Sequence, residues 1–219
     1  MDAATTPQQR SALPVIPLSL ALQAGGLLPL VLFTLTALNA QASRELHDLL
    51  WMCHIATALV GLGLLLRRST LLWVGTLWIL YGSVWWAIDA YAAQECTALP
   101  VAVHILTSFL GVAGTINLAR LRAAQTRPSM YRWATLSSLG LQAICHLATP
   151  SMANVNFAFE PYYGLGRWFP AASYASFWVA LCAVSCASFY VLERTLLHFT
   201  RILAAPNTAA QPSTRGTKI

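Results

Sequence analysis

Long apolar segments separated by short polar ones fill most of this chain. Six of them approach the roughly 20 residues that a helix needs to cross the hydrocarbon core of a bilayer. These segments lie at residues 17–38, 48–66, 70–93, 99–119, 132–149 and 170–197. None alternates like a barrel strand, and the bilayer core has no water to satisfy free backbone groups, so each is predicted to be helical. The pattern predicts an all-α, polytopic bundle of six transmembrane helices.

Composition supports the same class. Hydrophobic residues make up 57% of the chain and charged residues 9%, a balance that a soluble domain of this length does not keep. One helical domain is predicted at 17–200, after a cytoplasmic segment at 1–16 and before a disordered cytoplasmic tail at 201–219. Ala40-Gln41-Ala42 resembles a signal-peptidase site, but the apolar run before it exceeds the usual length of about 7 to 15 residues. A retained first helix is therefore predicted.

The basic residues predict the orientation. With six spans, both termini share one side with the second and fourth connections. Of the 13 Lys and Arg residues, all but Arg44 and Arg167 fall on that side. The positive-inside rule then predicts that both termini lie in the cytoplasm. The expected location is the inner membrane or plasma membrane of the cell. The formal net charge of +6 is explained by contact with anionic lipid, so no nucleic-acid partner is expected.

Several polar side chains lie inside the predicted spans, where an ionisable group costs about 2.5 to 3.5 kcal/mol on insertion scales and commonly marks a functional site. They are Cys53, His54, Asp89, His104, Cys145 and His146. A rise of about 1.5 Å per residue puts all of them within the outer third of the membrane, on four different helices. The sequence therefore predicts a polar layer near the outer face.

Three short motifs resemble a known family. They are Leu-Leu-Trp-Met-Cys-His-Ile-Ala at 49–56, Val-Ala-Val-His-Ile at 101–105, and Asn-Val-Asn-Phe-Ala-Phe-Glu-Pro at 154–161. Their order is similar to that in the YwaF-like bacterial integral membrane proteins and the related transmembrane ether-lipid acyltransferases, and more distantly in the androgen-induced intramembrane hydrolases. Cys53 matches the family cysteine and His104 the family histidine. Trp51 and His54 stand where the family pattern has histidine and aspartate.

The resemblance implies an intramembrane thiol-dependent acyltransferase or lipid hydrolase that acts on a membrane lipid without a cofactor. A thiolate attacks and a thiol does not, so Cys53 as nucleophile needs a neighbouring base. His104 is the candidate base, with His54 as an alternative, and Asp89 is a candidate for fixing the tautomer of either imidazole. Asn154 and Asn156 are candidate amide donors to an acyl oxyanion. Trp51 completes the candidate substrate site.

Two other functions stay open at this stage. His54, His104 and His146 at matched depth are candidate axial ligands for a haem, or with Cys53 and Asp89 for a metal ion. Alternatively, the chain is a non-catalytic membrane subunit in which buried polar groups hold the helices together. The acyl donor, the acceptor and the oligomeric state do not follow from the sequence.

Overall fold

In the computed structural model, the described residues are 18–93, 97–121, 129–153, 155–158 and 174–204, and the side chains of a few of them, Asp89 included, are not described. All regular structure in these residues is helical, so the predicted all-α class is confirmed. The α-helices are α1 (Leu18–Gly25), α2 (Leu27–Ser43), α3 (Met52–Leu65), α4 (Ser69–Ala93), α5 (Ala98–Leu121), α6 (Met130–Ala148) and α7 (Tyr174–Ala204). Short 3-10 turns lie at Leu46–Leu50, Ser151–Ala153 and Val155–Phe157. The segments predicted as an N-terminal extension and as the end of the tail lie outside the described residues.

Within the described ranges, four apolar helical segments are long enough to cross a membrane, which supports the predicted membrane protein. They are Leu20–Ser43, Ser69–Ile88, Ala98–Ala119 and Ser176–Leu203. The first combines α1 and α2, which meet at Gly26. Two predicted spans differ: α3 has only 14 residues, and α6 has 19 but carries two serines, a glutamine and a histidine. Helix α3 packs against α2 and α4, and α6 packs against α4 and α7.

Helix α4 is the centre of the bundle. Its residues 72–79 are all buried, and it packs against α3, α5, α6 and α7. A helix that is apolar and buried on every side belongs to a core. Polar groups connect α4 to its neighbours: the Trp78 indole donates to the Ala134 carbonyl oxygen of α6, and the Ser185 hydroxyl of α7 donates to Tyr81. These bonds fix the rotation of α4 relative to α6 and α7.

Small residues fix the vertical register of α3, α4 and α5. A Cβ atom on Gly63 would lie 2.6 Å from the backbone nitrogen of Leu72, and one on Gly111 would lie 2.8 Å from the Thr76 hydroxyl. Glycine therefore allows α4 to contact both neighbours more closely than any other residue could. Helices α3 and α5 begin, and helices α4 and α6 finish, at the same end of the bundle. We call this the upper end and the opposite one the lower end.

A buried carboxylate organises the lower end. Glu193 of α7 is 8% exposed. Its two oxygens accept hydrogen bonds from the backbone N–H groups of Met130 and Tyr131, each 3.0 Å long. These donors lie in the first turn of α6, where backbone N–H groups have no partner within the helix and where negative charge is stabilising. Glu193 therefore caps α6 from a neighbouring helix.

Candidate functional site

Cys53 and His104 lie at the same level near the upper end. The Cβ of Cys53 is 3.5 Å from the position that a Cβ on Gly82 would take. His104 hydrogen-bonds to Ser83, the next residue of α4, with a distance of 3.0 Å between Nδ1 and Oγ. Consecutive helical residues differ in height by only about 1.5 Å. The bundle thus brings the predicted nucleophile and base, from α3 and α5, to one level beside α4.

The imidazole of His104 is held on two sides. It is only 4% exposed, and the Trp86 ring stacks on it with 4.4 Å between ring centroids and an interplanar angle of 15°. The hydroxyl of Ser83 lies at its edge and is itself 3.4 Å from the Ser108 hydroxyl. The ring therefore has a fixed plane and a fixed polar partner inside an apolar bundle.

His54 has an equally defined hydrogen bond. Its Nδ1 lies 2.7 Å from the backbone oxygen of Asp48. A carbonyl oxygen only accepts hydrogen bonds, so Nδ1 of His54 donates, and in the neutral ring the lone pair is on Nε2. The upper end thus holds two imidazoles, His54 near the start of α3 and His104 on α5.

Cys53 is the second residue of α3. It lies in the first turn of the helix, where the backbone N–H of the next residue, His54, donates to the Trp51 oxygen at 2.9 Å. The positive end of a helix stabilises a thiolate. Among the described residues, no hydrogen bond joins the Cys53 sulfur to a histidine. A proton transfer from Cys53 to His104 therefore requires these side chains to approach each other when substrate is bound.

Asn156 holds the start of α3 in place. Its amide nitrogen donates to the Leu50 oxygen at 2.6 Å and to the Cys145 sulfur at 3.3 Å, and its amide oxygen accepts from the Met52 N–H at 2.8 Å. We call these three contacts the Asn156 clamp. Both amide hydrogens are engaged, so an acyl oxyanion would have to compete for them with Leu50 and Cys145. In this structure Asn156 positions the helix that carries Cys53.

The remaining predicted site residues are placed differently. Trp51 is half-buried and directly precedes α3. Asn154 lies outside the described residues, as does the side chain of Asp89. His146 is exposed on α6, and its Nδ1 is 2.9 Å from the Ala158 oxygen. Within the described part of the chain, no three His, Cys, Asp or Glu side chains converge as metal ligands would.

An apolar groove lies on the outer face of α4, beside the site. It is shallow and lined by residues of α4, namely Ser83, Val84, Ala87, Ile88 and Tyr91. Val84, Ile88 and Tyr91 are 59%, 55% and 87% exposed, so the groove faces outward. Ser83 belongs both to the groove and to the contacts of His104. The groove extends from Ser83 toward the upper end of α4.

Ser83, Trp86 and the Asn156 clamp are the features that the sequence alone did not reveal. Serine is common in apolar helices because its hydroxyl bonds to the carbonyl oxygen four residues earlier, and Ser83 does bond to Ile79 in this way. Its second contact, with His104, depends on the packing of α4 against α5. The three-residue spacing of Ser83 and Trp86, which places both on one face of α4, was the only available signal.

No family model, no curated protein and no solved structure matches the chain. The resemblance of Cys53, His104 and the Asn156 segment to intramembrane acyltransferases stays a prediction.

Proposed function

We propose that this protein is an intramembrane enzyme that transfers or hydrolyses acyl groups of a membrane lipid, with Cys53 as nucleophile and His104 as general base. The observation that carries the proposal is the common level of Cys53 and His104 beside consecutive residues of α4. A buried, oriented imidazole near a thiol at a helix N-terminus is what a nucleophile and base pair requires. His54, the residue after Cys53, is a second imidazole at the same site.

The reaction follows from these positions. The Cys53 thiol transfers its proton to His104, and the sulfur attacks the carbonyl carbon of a lipid ester. The ester C–O bond breaks, the leaving alkoxide takes the proton from His104, and a thioester to Cys53 remains. An acceptor alcohol or water then gives a proton to His104 and attacks the thioester. The C–S bond breaks, and the Cys53 sulfur takes the proton back from His104. The base contributes about 10² to 10⁴ in rate in reactions of this type.

The groove on α4 favours a substrate with an acyl chain. Its walls are apolar side chains that face outward, where they meet lipid if α4 crosses the membrane. The sequence-based depth of about 7 to 10 Å is close to the level of the ester carbonyls of a phospholipid. The ester of a lipid beside α4 at that depth would lie near the level of Ser83 and His104.

We further propose six spans with both termini in the cytoplasm, which places the upper end in the outer leaflet. The helices α3 and α6 supply the two spans beyond the four long ones, and the distribution of basic residues favours this orientation. An impermeant thiol reagent applied to intact cells should label Leu46→Cys at the upper end, while Arg68→Cys at the lower end should react only after permeabilisation. The reverse pattern would contradict the orientation.

Labelling with an acyl-phosphonate or acyl-thioester lipid probe tests the nucleophile. We expect the wild type and Cys182→Ala, which removes a half-buried cysteine of α7, to be labelled equally. Cys53→Ala should show no labelling. His104→Gln should react more slowly by on the order of 100-fold, because the base is lost. Equal labelling of all four proteins would rule out Cys53 as the nucleophile.

The two imidazoles support a second candidate function. Histidines that bind a metal or haem iron usually donate their other ring N–H to a carbonyl or another acceptor, and His54 does so toward Asp48. In this function His54 and His104 would be the ligands, and His146, exposed on α6, would not take part. Stoichiometric metal or a Soret band that is lost in both His54→Ala and His104→Ala would support it, and retention of either signal in both variants would refute it.

A further inference from the structure

The hydrogen-bonding capacity of Ser83 determines which nitrogen of His104 carries the proton. A serine hydroxyl has one hydrogen to donate. Ser83 donates it to the backbone oxygen of Ile79 at 2.7 Å. The same oxygen atom lies 3.0 Å from His104 Nδ1, so it acts as the acceptor in that contact. His104 Nδ1 must then be the donor.

We propose that Ser83 is a positioning residue that holds neutral His104 in the Nδ1–H tautomer and leaves the Nε2 lone pair as the basic nitrogen of the site. Ser108, 3.4 Å from the Ser83 hydroxyl, can donate to the same oxygen without competing for its proton. The Trp86 ring, stacked on His104, prevents the imidazole from tilting away. Orientation and tautomer of His104 are thus both set by residues of α4 and α5.

The catalytic consequence of this role of Ser83 rests on the proposed function. With Nδ1 engaged by Ser83, the other edge of the ring carries the atom that receives a proton from the nucleophile. This is the part that the third member of a catalytic triad plays, which is to fix the tautomer of the base. The sequence assigned that part to Asp89, whereas the described contacts of His104 assign it to a neutral hydroxyl.

Solid-state NMR of histidine labelled with ¹⁵N, in protein reconstituted in phosphatidylcholine bilayers at a pH where His104 is neutral, reads the tautomer directly. The His104 signal is identified by its loss in His104→Gln. We expect a protonated Nδ1 and an unprotonated Nε2 in the wild type and in Ser83→Thr, which keeps the hydroxyl. In Ser83→Ala the signal should change to the Nε2–H form. Ser137→Ala, an exposed serine of α6 that also bonds a backbone oxygen four residues earlier, should match the wild type.

The labelling assay then separates this proposal from the proposed function. Ser83→Ala should slow Cys53 labelling by on the order of 10- to 100-fold, and Ser83→Thr should restore it. An Nε2–H signal for His104 in the wild type, or an unchanged tautomer in Ser83→Ala, would overturn the role of Ser83 even if Cys53 is labelled. The expected tautomer without any labelling of Cys53 would instead contradict the proposed function and leave the role of Ser83 supported.

Discussion

Asn156→Ala is expected to lower the free energy of unfolding by about 2 to 6 kcal/mol, because it leaves the half-buried Met52 N–H and Leu50 oxygen without their partner. Asn156 is 7% exposed, so water does not readily replace the amide. Its backbone also has φ of 55°, a conformation that asparagine adopts more easily than alanine. The loss is a large part of the 5 to 15 kcal/mol typical of a folded domain.

Unfolding in mixed detergent micelles with increasing dodecyl sulfate, followed by circular dichroism, measures this change. Asn156→Gly separates the two contributions, because glycine accepts the positive φ and lacks only the amide. Asn39→Ala, at an exposed position of α2, should stay within about 0.5 kcal/mol of the wild type. Cys145, which is fully buried, should also react faster with a thiol reagent when the clamp is lost. A stable Asn156→Ala with unreactive Cys145 would show that the clamp does not hold α3.

Glu193→Ala is expected to cost about 3 to 5 kcal/mol, because two buried hydrogen bonds to a charged group are lost and the first turn of α6 loses its cap. Glu193→Gln should recover at most half of this. An amide has one oxygen acceptor, and its NH₂ group would face a second backbone N–H, so one of the two α6 donors stays unpaired.

The same unfolding titration tests Glu193, with Glu45→Ala as the control at an exposed acid of the upper end. Glu193 lies one helical turn from Tyr190, whose ring packs edge-on against Tyr131 at 5.3 Å between centroids. Separation of α6 from α7 should therefore also change the near-ultraviolet dichroism of these tyrosines. A Glu193→Gln variant as stable as the wild type would show that the carboxylate does not cap α6.

The sequence predicted the helical membrane class because apolar composition and segment length determine it directly. It also predicted that Cys53 and His104 would lie at similar depth, since depth depends on the helical rise and on where a helix begins. It did not predict the break at Gly26, or that α3 would be as short as 14 residues. At the break, a Cβ on Gly26 would lie 2.7 Å from the Gly61 oxygen of α3, a contact between segments distant in the sequence.

The polar contacts of the site were less accessible to sequence reasoning. Asn156 was interpreted as a substrate-binding amide, because a loop asparagine above the spans looks free to bind substrate. Its partners lie 104 and 106 residues earlier in the chain, and no local pattern reveals such a contact. His146 was grouped with His54 and His104 by depth alone, but depth does not determine which face of a helix turns inward. Ser83 was overlooked for the same reason.

Turnover of a membrane lipid by the purified protein tests the central claim most directly. The protein is reconstituted into vesicles of phosphatidylethanolamine and phosphatidylglycerol with radiolabelled acyl chains, and the released or transferred chains are measured over time. The account predicts turnover by the wild type and by Cys182→Ala, and a loss of about 100-fold or more in Cys53→Ala and His104→Gln. Equal turnover in Cys53→Ala and the wild type, or no turnover by any of them, would contradict it.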